Sequence, residues 1–373
     1  MRLNDLLTPA LLLDAEILEQ NLLAMQRRAD GLGVSLRPHL KTHKCVAIAR
    51  RQEALGARGV TVSTLYEAQR FADAGFTDIT WAFPFPPVYA APAAELARRI
   101  TLRLVVDSLA AVDHLEEAGR HAGLRWHVLL KVDCGSHRAG VRPEDPTATT
   151  LARRIAQSPQ CLFDGILTHA GHAYGATTTD EILTIARAER RVMTDFASHL
   201  RADGIETTVV SVGSTPTMTF VDDLTGVTEM RPGNYVFHDL TMVSLGVCTV
   251  ADCAVTILAS VVSVHGRTVL TDAGALALSK DLGAVHRAPG TGFGAIFEDY
   301  AAHRLYSPAT AHVTAVSQEH GKVEISAPDL FHVGDRVRIL EQHSCLAAAQ
   351  FDRYALVRSD EVVDSWEILR GRS

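Results

Sequence analysis

The chain has 373 residues, 47% of them apolar and 21% charged, with a formal net charge of −7. That length exceeds one small core and predicts one large domain plus a smaller one. The negative balance, without any lysine and arginine cluster interleaved with aromatics, argues against a nucleic-acid partner, and no apolar run approaches the roughly 20 residues of a bilayer span.

The opening Met1-Arg2-Leu3-Asn4-Asp5 lacks the basic region, apolar core and cleavage site of a signal peptide. The six cysteines (Cys45, Cys134, Cys161, Cys248, Cys253, Cys345) have no framework spacing, so thiols or metal ligands in a reducing cytoplasm are expected. From Ser35 to about Met230, β-rich runs alternate with helical patterns. Strands are predicted at 35–39, 59–63, 79–83, 101–106, 126–132, 163–169, 207–212 and 226–230. Amphipathic stretches lie at 65–74, 110–122, 149–156 and 180–202, the last with Ile182, Ile185, Ala186, Met193 and Phe196 near helical period. Eight such repeats are the count of a (β/α)8 TIM-type barrel; a doubly wound sheet stays open, although no Gly-x-Gly-x-x-Gly follows the first strand.

After about Leu245 the pattern changes. Strand-like runs at 255–264, 268–272, 311–316, 322–325, 336–340, 354–357 and 362–366, with few helical patterns, predict an all-β domain. The Gly/Pro-rich segment 288–294 reads as loop. The run 9–14 precedes the barrel count and could pair with the second domain. The expected division is therefore a barrel over 15–244 and a β domain made of 1–14 and 245–373.

The residues that carry chemistry fall at strand ends, where a barrel keeps its active site. Arg37-Pro38-His39-Leu40-Lys41-Thr42-His43-Lys44 crowds three cations and two imidazoles into one turn. Crowded positive charge disfavours an ammonium and would suit a Schiff-base lysine; a solvated basic turn is the plain alternative. Lys131 to Val141 brings Arg138 to another strand end, as a partner for an anionic or phenolic oxygen or as a loop arginine paired with Asp133. Thr168-His169-Ala170-Gly171-His172-Ala173-Tyr174 offers an imidazole and a phenol beside small residues that leave room for a flat ligand. Ser211-Val212-Gly213-Ser214-Thr215 and Arg231-Pro232-Gly233-Asn234-Tyr235 follow the seventh and eighth strands counted, the usual phosphate position of a barrel; each alone reads equally as an ordinary turn. In the β domain, His343 and Cys345 are two apart. On an extended strand they would point the same way and reach one metal ion; two ligands leave positions for water and substrate, as catalytic sites require.

In this order the chain resembles the fold-type III pyridoxal-phosphate (PLP) enzymes related to D-serine dehydratase and D-threonine aldolase. The matching pieces include Thr8-Pro9-Ala10, the Arg37 to Lys44 turn, Val62-Ser63-Thr64, Asp133-Cys134-Gly135, Arg138-Ala139-Gly140-Val141, Ser211 to Pro216, Pro232 to Tyr235, Gln318-Glu319-His320-Gly321 and His343-Ser344-Cys345. The resemblance implies an alanine-racemase-like barrel with a C-terminal β domain, a homodimer, and Lys41 bonded to pyridoxal 5'-phosphate. It places the cofactor phosphate at Gly213, Ser214 and Thr215 with Gly233 and Asn234, sets His169 against the ring with Tyr174 nearby, and puts Arg138 near the phenolic oxygen. Arg231 falls where the wider fold keeps a partner for the pyridine nitrogen. His343 and Cys345 would bind a divalent metal, zinc first, manganese or another ion second. Dehydratases of the family carry His-x-Cys where aldolases carry His-x-Asp. The implied reaction is loss of water from a D-3-hydroxy amino acid, such as D-serine or D-threo-3-hydroxyaspartate, giving an oxo acid and ammonia. Retro-aldol cleavage to glycine and an aldehyde is the alternative, and a non-catalytic PLP-binding protein the third reading.

Overall fold

Runs such as Val60–Val62 and Val209–Val212 are buried along almost their whole length, as parallel strands covered on both faces must be. The computed structural model describes residues 1–371. Strand β1 (Ala10–Asp14) belongs to the second sheet, and helix Ala15–Gly31 leads from it into a barrel. The barrel strands are β2 (Ser35–Leu36), β3 (Val60–Val62), β4 (Asp78–Pro84), β5 (Thr101–Val106), β6 (Trp126–Lys131), β7 (Cys161–Leu167), β8 (Val209–Val212) and β9 (Glu229–Met230). They pair in parallel in the order β2-β9-β8-β7-β6-β5-β4-β3, and a parallel bridge between His39 and Thr61 joins the two ends. A helical segment follows each strand, giving the expected (β/α)8 barrel.

Two strands fall furthest short of the predicted ranges. β2 stops at Leu36 and β9 at Met230, because Pro38 and Pro232 have no N–H to extend the ladder. The chain stays paired through the His39 amide, which donates to the Pro232 carbonyl at 3.0 Å. Helix Ala90–Ala97 escaped the sequence reading, since its alanine-rich sequence lacks a polar-apolar contrast.

The second sheet adds β10 (Val255–His265), β11 (Thr268–Thr271), β12 (Gly294–Asp299), β13 (Arg304–Leu305), β14 (Ala311–Val316), β15 (Gly321–Ile325), β16 (Arg336–Glu341), β17 (Arg353–Arg358) and β18 (Glu361–Glu367). Strands β10, β11, β15, β14, β12 and β16 close into a ring, with β1, β17 and β18 extending from β10. β12 and β13 were not expected: they follow directly on the Gly/Pro-rich loop. β1 pairs antiparallel with β10 and parallel with β17.

Beneath the barrel mouth runs a chain of buried polar groups. The Arg37 guanidinium donates to Glu229 at 2.7 Å and to both Asp78 oxygens at 2.9 Å. Ser211 donates to the other Glu229 oxygen, and Arg231 donates to Ser211 Oγ and to the Thr168 carbonyl. Residues in or just after five barrel strands, β2, β4, β7, β8 and β9, are tied together by it. Removing one partner of a buried ion pair strands the other charge, at a cost of about 3–5 kcal/mol. Arg37→Met is expected to lose that much in urea unfolding, and Arg37→Met with Glu229→Gln to regain at least half; equal losses in both variants would contradict it.

Candidate active site

The turn after β2 is gripped from both domains. From the barrel, the Leu40 amide donates to the Thr61 carbonyl at 2.8 Å. From the β domain, Tyr354 Oη donates to the His43 carbonyl at 2.7 Å, and the Leu369 amide to the Lys44 carbonyl at 2.7 Å. Lys41 projects, exposed, from this rigid turn. The expected crowding of cations around it is not found. Arg37 faces its two carboxylates below the mouth, and Lys44 Nζ lies 3.3 Å from the buried Glu67. The imidazoles are neutral: burial drives His43 down to about 3, and burial, then Lys41 and Arg231, push His39 well below its usual value.

His39, Lys41, His169 and Arg231 share one electrostatic neighbourhood. His169, after β7, is held by a 3.3 Å contact from Nδ1 to the Gly213 carbonyl, and burial with Lys41 close by keeps it uncharged. A neutral, oriented imidazole presents a flat face to the mouth. Arg231 is lowered by burial only to about 10, so it stays cationic. Asp133, the alternative partner considered for Arg138, accepts instead from the Gly135 and His137 amides and contacts the His137 ring. Arg138 is left exposed at the mouth beside Lys131 and His169. Lys131, not singled out from sequence, ends β6 buried, and burial with Arg231 and Arg138 lowers it to about 7. Only its inward direction marks it, and a strand-end lysine gives no sign of that.

The loops after β8 and β9 meet at the other side of the mouth. Ser214 caps helix Thr215–Phe220, and Thr215 Oγ1 accepts the Tyr235 amide at 3.0 Å. The Gly213 amide, expected to face a phosphate, is instead taken by Glu189 at 3.0 Å. This glycine, with φ 115°, supplies the turn rather than a donor. Glu189 also accepts the Ala170 amide at 3.1 Å, so one buried carboxylate joins the His169 and Ser214 loops. It lies mid-helix, where sequence periodicity would leave an acid unremarked. Gly233 allows close packing: a Cβ there would stand 2.9 Å from the His39 carbonyl oxygen and 3.1 Å from Thr42 Oγ1. Hydroxyls of Ser214 and Thr215 line this side, which suits a phosphate, while Lys41 supplies an amine for an aldehyde. The set fits PLP.

The His343 and Cys345 pair is not on a strand. β16 ends at Glu341, His343 precedes helix Ser344–Ala348, and the two side chains meet across a strand-to-helix junction. Each lies within hydrogen-bonding reach of the other. Burial acts against His343, but Cys345 and the Asp281 carboxylate, 2.7 Å from Nδ1, outweigh it and hold the ring up to about 11. Cys345 is lowered, since His343 and Lys41 overcome the effect of burial. The pair brings a ring nitrogen and a thiol sulfur together, donors of the kind a divalent metal takes. Asp281, invisible from sequence because 62 residues separate it from His343, engages Nδ1 and leaves Nε2 as the ring nitrogen turned to other partners. Cys345 Sγ lies 3.3 Å from Thr42 Oγ1, next to Lys41, and Tyr174, kept protonated by burial and by Cys345, faces the same space. Among the described residues no cluster of three or more His, Cys, Asp or Glu suits a metal.

Comparison with known proteins agrees with this geometry. Residues 13–240 match the model for the alanine racemase N-terminal domain, and 254–357 that for a putative serine dehydratase domain. The chain belongs to the fold-type III family of PLP-dependent D-serine dehydratase-like lyases. It is 38% identical to D-threo-3-hydroxyaspartate dehydratase of Delftia sp., over 98% of this chain and 97% of that one. It is 32% identical to a D-threonine aldolase of Arthrobacter sp., over 97% and 92%. A cysteine-to-alanine mutant of D-threo-3-hydroxyaspartate dehydratase, in a metal-free form, superposes with a TM-score of 0.94 at 37% identity, covering both chains fully.

Gly233 has an ordinary backbone conformation, so Gly233→Ala acts by overpacking alone, worth about 1–3 kcal/mol. The expected result is cofactor affinity weakened roughly 10-fold, followed by the absorbance of lysine-bound PLP; unchanged affinity would contradict the packing.

Proposed function

We propose that this protein eliminates water from a D-3-hydroxy amino acid, D-threo-3-hydroxyaspartate or D-serine, using PLP on Lys41 and a divalent metal at His343 and Cys345. The reading rests above all on the 3.3 Å approach of Cys345 to Thr42, which puts the metal-binding pair beside the cofactor lysine. Imidazole nitrogen and thiolate sulfur favour zinc, with manganese or another divalent ion as the second choice.

Lys41 would hold the cofactor through its Nζ, the same atom that would take the α-proton of bound substrate. PLP supplies a sink for the electron pair left at Cα. The metal supplies Lewis acidity at the β-hydroxyl. His169 would lie against the ring face, Arg138 would serve its phenolic oxygen, and Arg231 would meet the pyridine nitrogen. Ser214, Thr215, Gly233 and Asn234 anchor the phosphate, and Asp281 holds His343 in its ligating tautomer. Tyr174 offers a protonated hydroxyl to a substrate oxygen. The enamine released hydrolyses to an oxo acid and ammonia. A cytoplasmic homodimer is part of the same proposal; among the described residues no helix is long and apolar enough to cross a membrane.

The test is product identification with D-threo-3-hydroxyaspartate, D-serine and D-threonine on PLP- and zinc-loaded protein. Oxo acid and ammonia are expected; glycine with an aldehyde would establish the aldolase reading instead, and no turnover a binding protein. Lys41→Ala is expected to abolish the absorbance of lysine-bound PLP, and its persistence would overturn that assignment. Asp281→Ala is expected to weaken zinc binding about 10–100-fold with cofactor uptake unchanged, measured by chelator competition. Exhaustive chelation is expected to abolish turnover and added zinc to restore it; activity that survives chelation would remove the metal from the chemistry.

A further inference from the structure

Asp239 is completely buried and precedes the short helix Leu240–Ser244. Its Oδ1 accepts the Met242 amide at 2.9 Å, which is all a helix cap requires. Its Oδ2 accepts three further bonds: Asn234 Nδ2 at 2.6 Å, the Ser344 amide at 3.0 Å and Ser344 Oγ at 3.2 Å. Asn234 Nδ2 also reaches Ser344 Oγ at 3.1 Å. Asn234 follows Gly233 in the loop after β9, and Ser344 stands between His343 and Cys345. One carboxylate oxygen thus joins the phosphate side of the barrel to the metal-binding loop of the other domain, across 105 residues of sequence.

We propose that Asp239 is a positioning residue that couples the two sites, so that PLP and the metal ion each tighten binding of the other. This rests on the phosphate and metal positions proposed above. A ligand that fixes the Asn234 loop fixes Asp239, and through it Ser344. The metal then meets His343 and Cys345 already in place, and the ordering cost is met once for both ligands. Linkage makes the effect reciprocal: the factor by which zinc tightens PLP equals the factor by which PLP tightens zinc. Thr42, touching Cys345 beside Lys41, is the rival contact between the sites, to which no coupling is assigned.

Full-length protein is stripped of both ligands. PLP affinity is measured from the absorbance of the lysine-bound cofactor, with and without zinc. Zinc affinity is measured by competition with a chromophoric chelator, with and without PLP. In the unmodified protein both ratios are expected to agree and to lie within about 5–150. Asp239→Asn keeps the Oδ1 cap and puts an amide NH2 where three donors converge, so its ratio is expected to fall close to one. Thr42→Val is expected to keep the original ratio. A residue that only supports the fold would weaken both ligands and leave the ratio alone, so the ratio separates the two roles. Ser344→Ala removes the bridging hydroxyl and is expected to reduce the ratio, a reading available even where Asp239→Asn does not fold. The proposal is overturned by a ratio of one in the unmodified protein, by a ratio retained in Asp239→Asn, or by one lost only in Thr42→Val. Zinc that does not bind at all would instead overturn the metal assignment beneath it.

Discussion

The site depends on holding one turn, His39 to Lys44, rigid between two domains. The barrel fixes its entry through the Leu40 and His39 amides, and the β domain fixes its exit through Tyr354 Oη and the Leu369 amide. With the backbone held at both ends, Lys41 projects from a fixed position, and Thr42 meets Cys345 from the opposite domain. In the proposed reaction the lysine serves both as cofactor attachment and as base, and such placement matters because a small error in reach costs rate steeply. Neither domain alone makes the site. The barrel provides the Lys41 amine, the His169 imidazole and the proposed phosphate side, and the β domain provides the proposed metal pair, His343 and Cys345.

Carboxylates, two of them buried and one partly exposed, organise the surroundings of this turn. Glu229 holds Arg37 and Ser211 below the mouth, Glu189 joins the loops after β7 and β8, and Asp281 orients His343. Each accepts hydrogen bonds that would otherwise leave loop groups unsatisfied, and such bonds to a charged acceptor are among the stronger ones. In contrast, the imidazoles at the mouth are held neutral by burial. Fixed positive charge is left to Lys41, Arg138 and Arg231, which suits an anionic cofactor and an acidic substrate.

Much of this was legible in the sequence. Parallel strands buried on both faces show as short β-rich runs at regular intervals, so the barrel and its order of loops could be counted. Residues at strand ends could then be placed at one mouth: Lys41, Arg138, His169 and Arg231 do gather there. What sequence could not give were partners from distant segments. The turn looked crowded with cations because Asp78, Glu229 and Glu67, which draw Arg37 and Lys44 away, lie elsewhere in the chain. Gly213 was counted as a phosphate donor because Glu189, its actual partner, is hidden in an amphipathic helix. The spacing of His343 and Cys345 was informative, but the strand geometry assumed for it was wrong, because β16 ends two residues earlier and the chain turns into a helix. β12 was missed behind its Gly/Pro-rich approach.

The central claim is that a metal held by the β domain faces the cofactor lysine of the barrel. Its most direct test is anomalous diffraction at the zinc edge from crystals of PLP- and zinc-loaded protein. The expected result is an anomalous peak at bonding distance from His343 Nε2 and Cys345 Sγ, facing the Lys41 side of the mouth. A peak bonded elsewhere, or none at this pair in zinc-loaded crystals, would contradict the account.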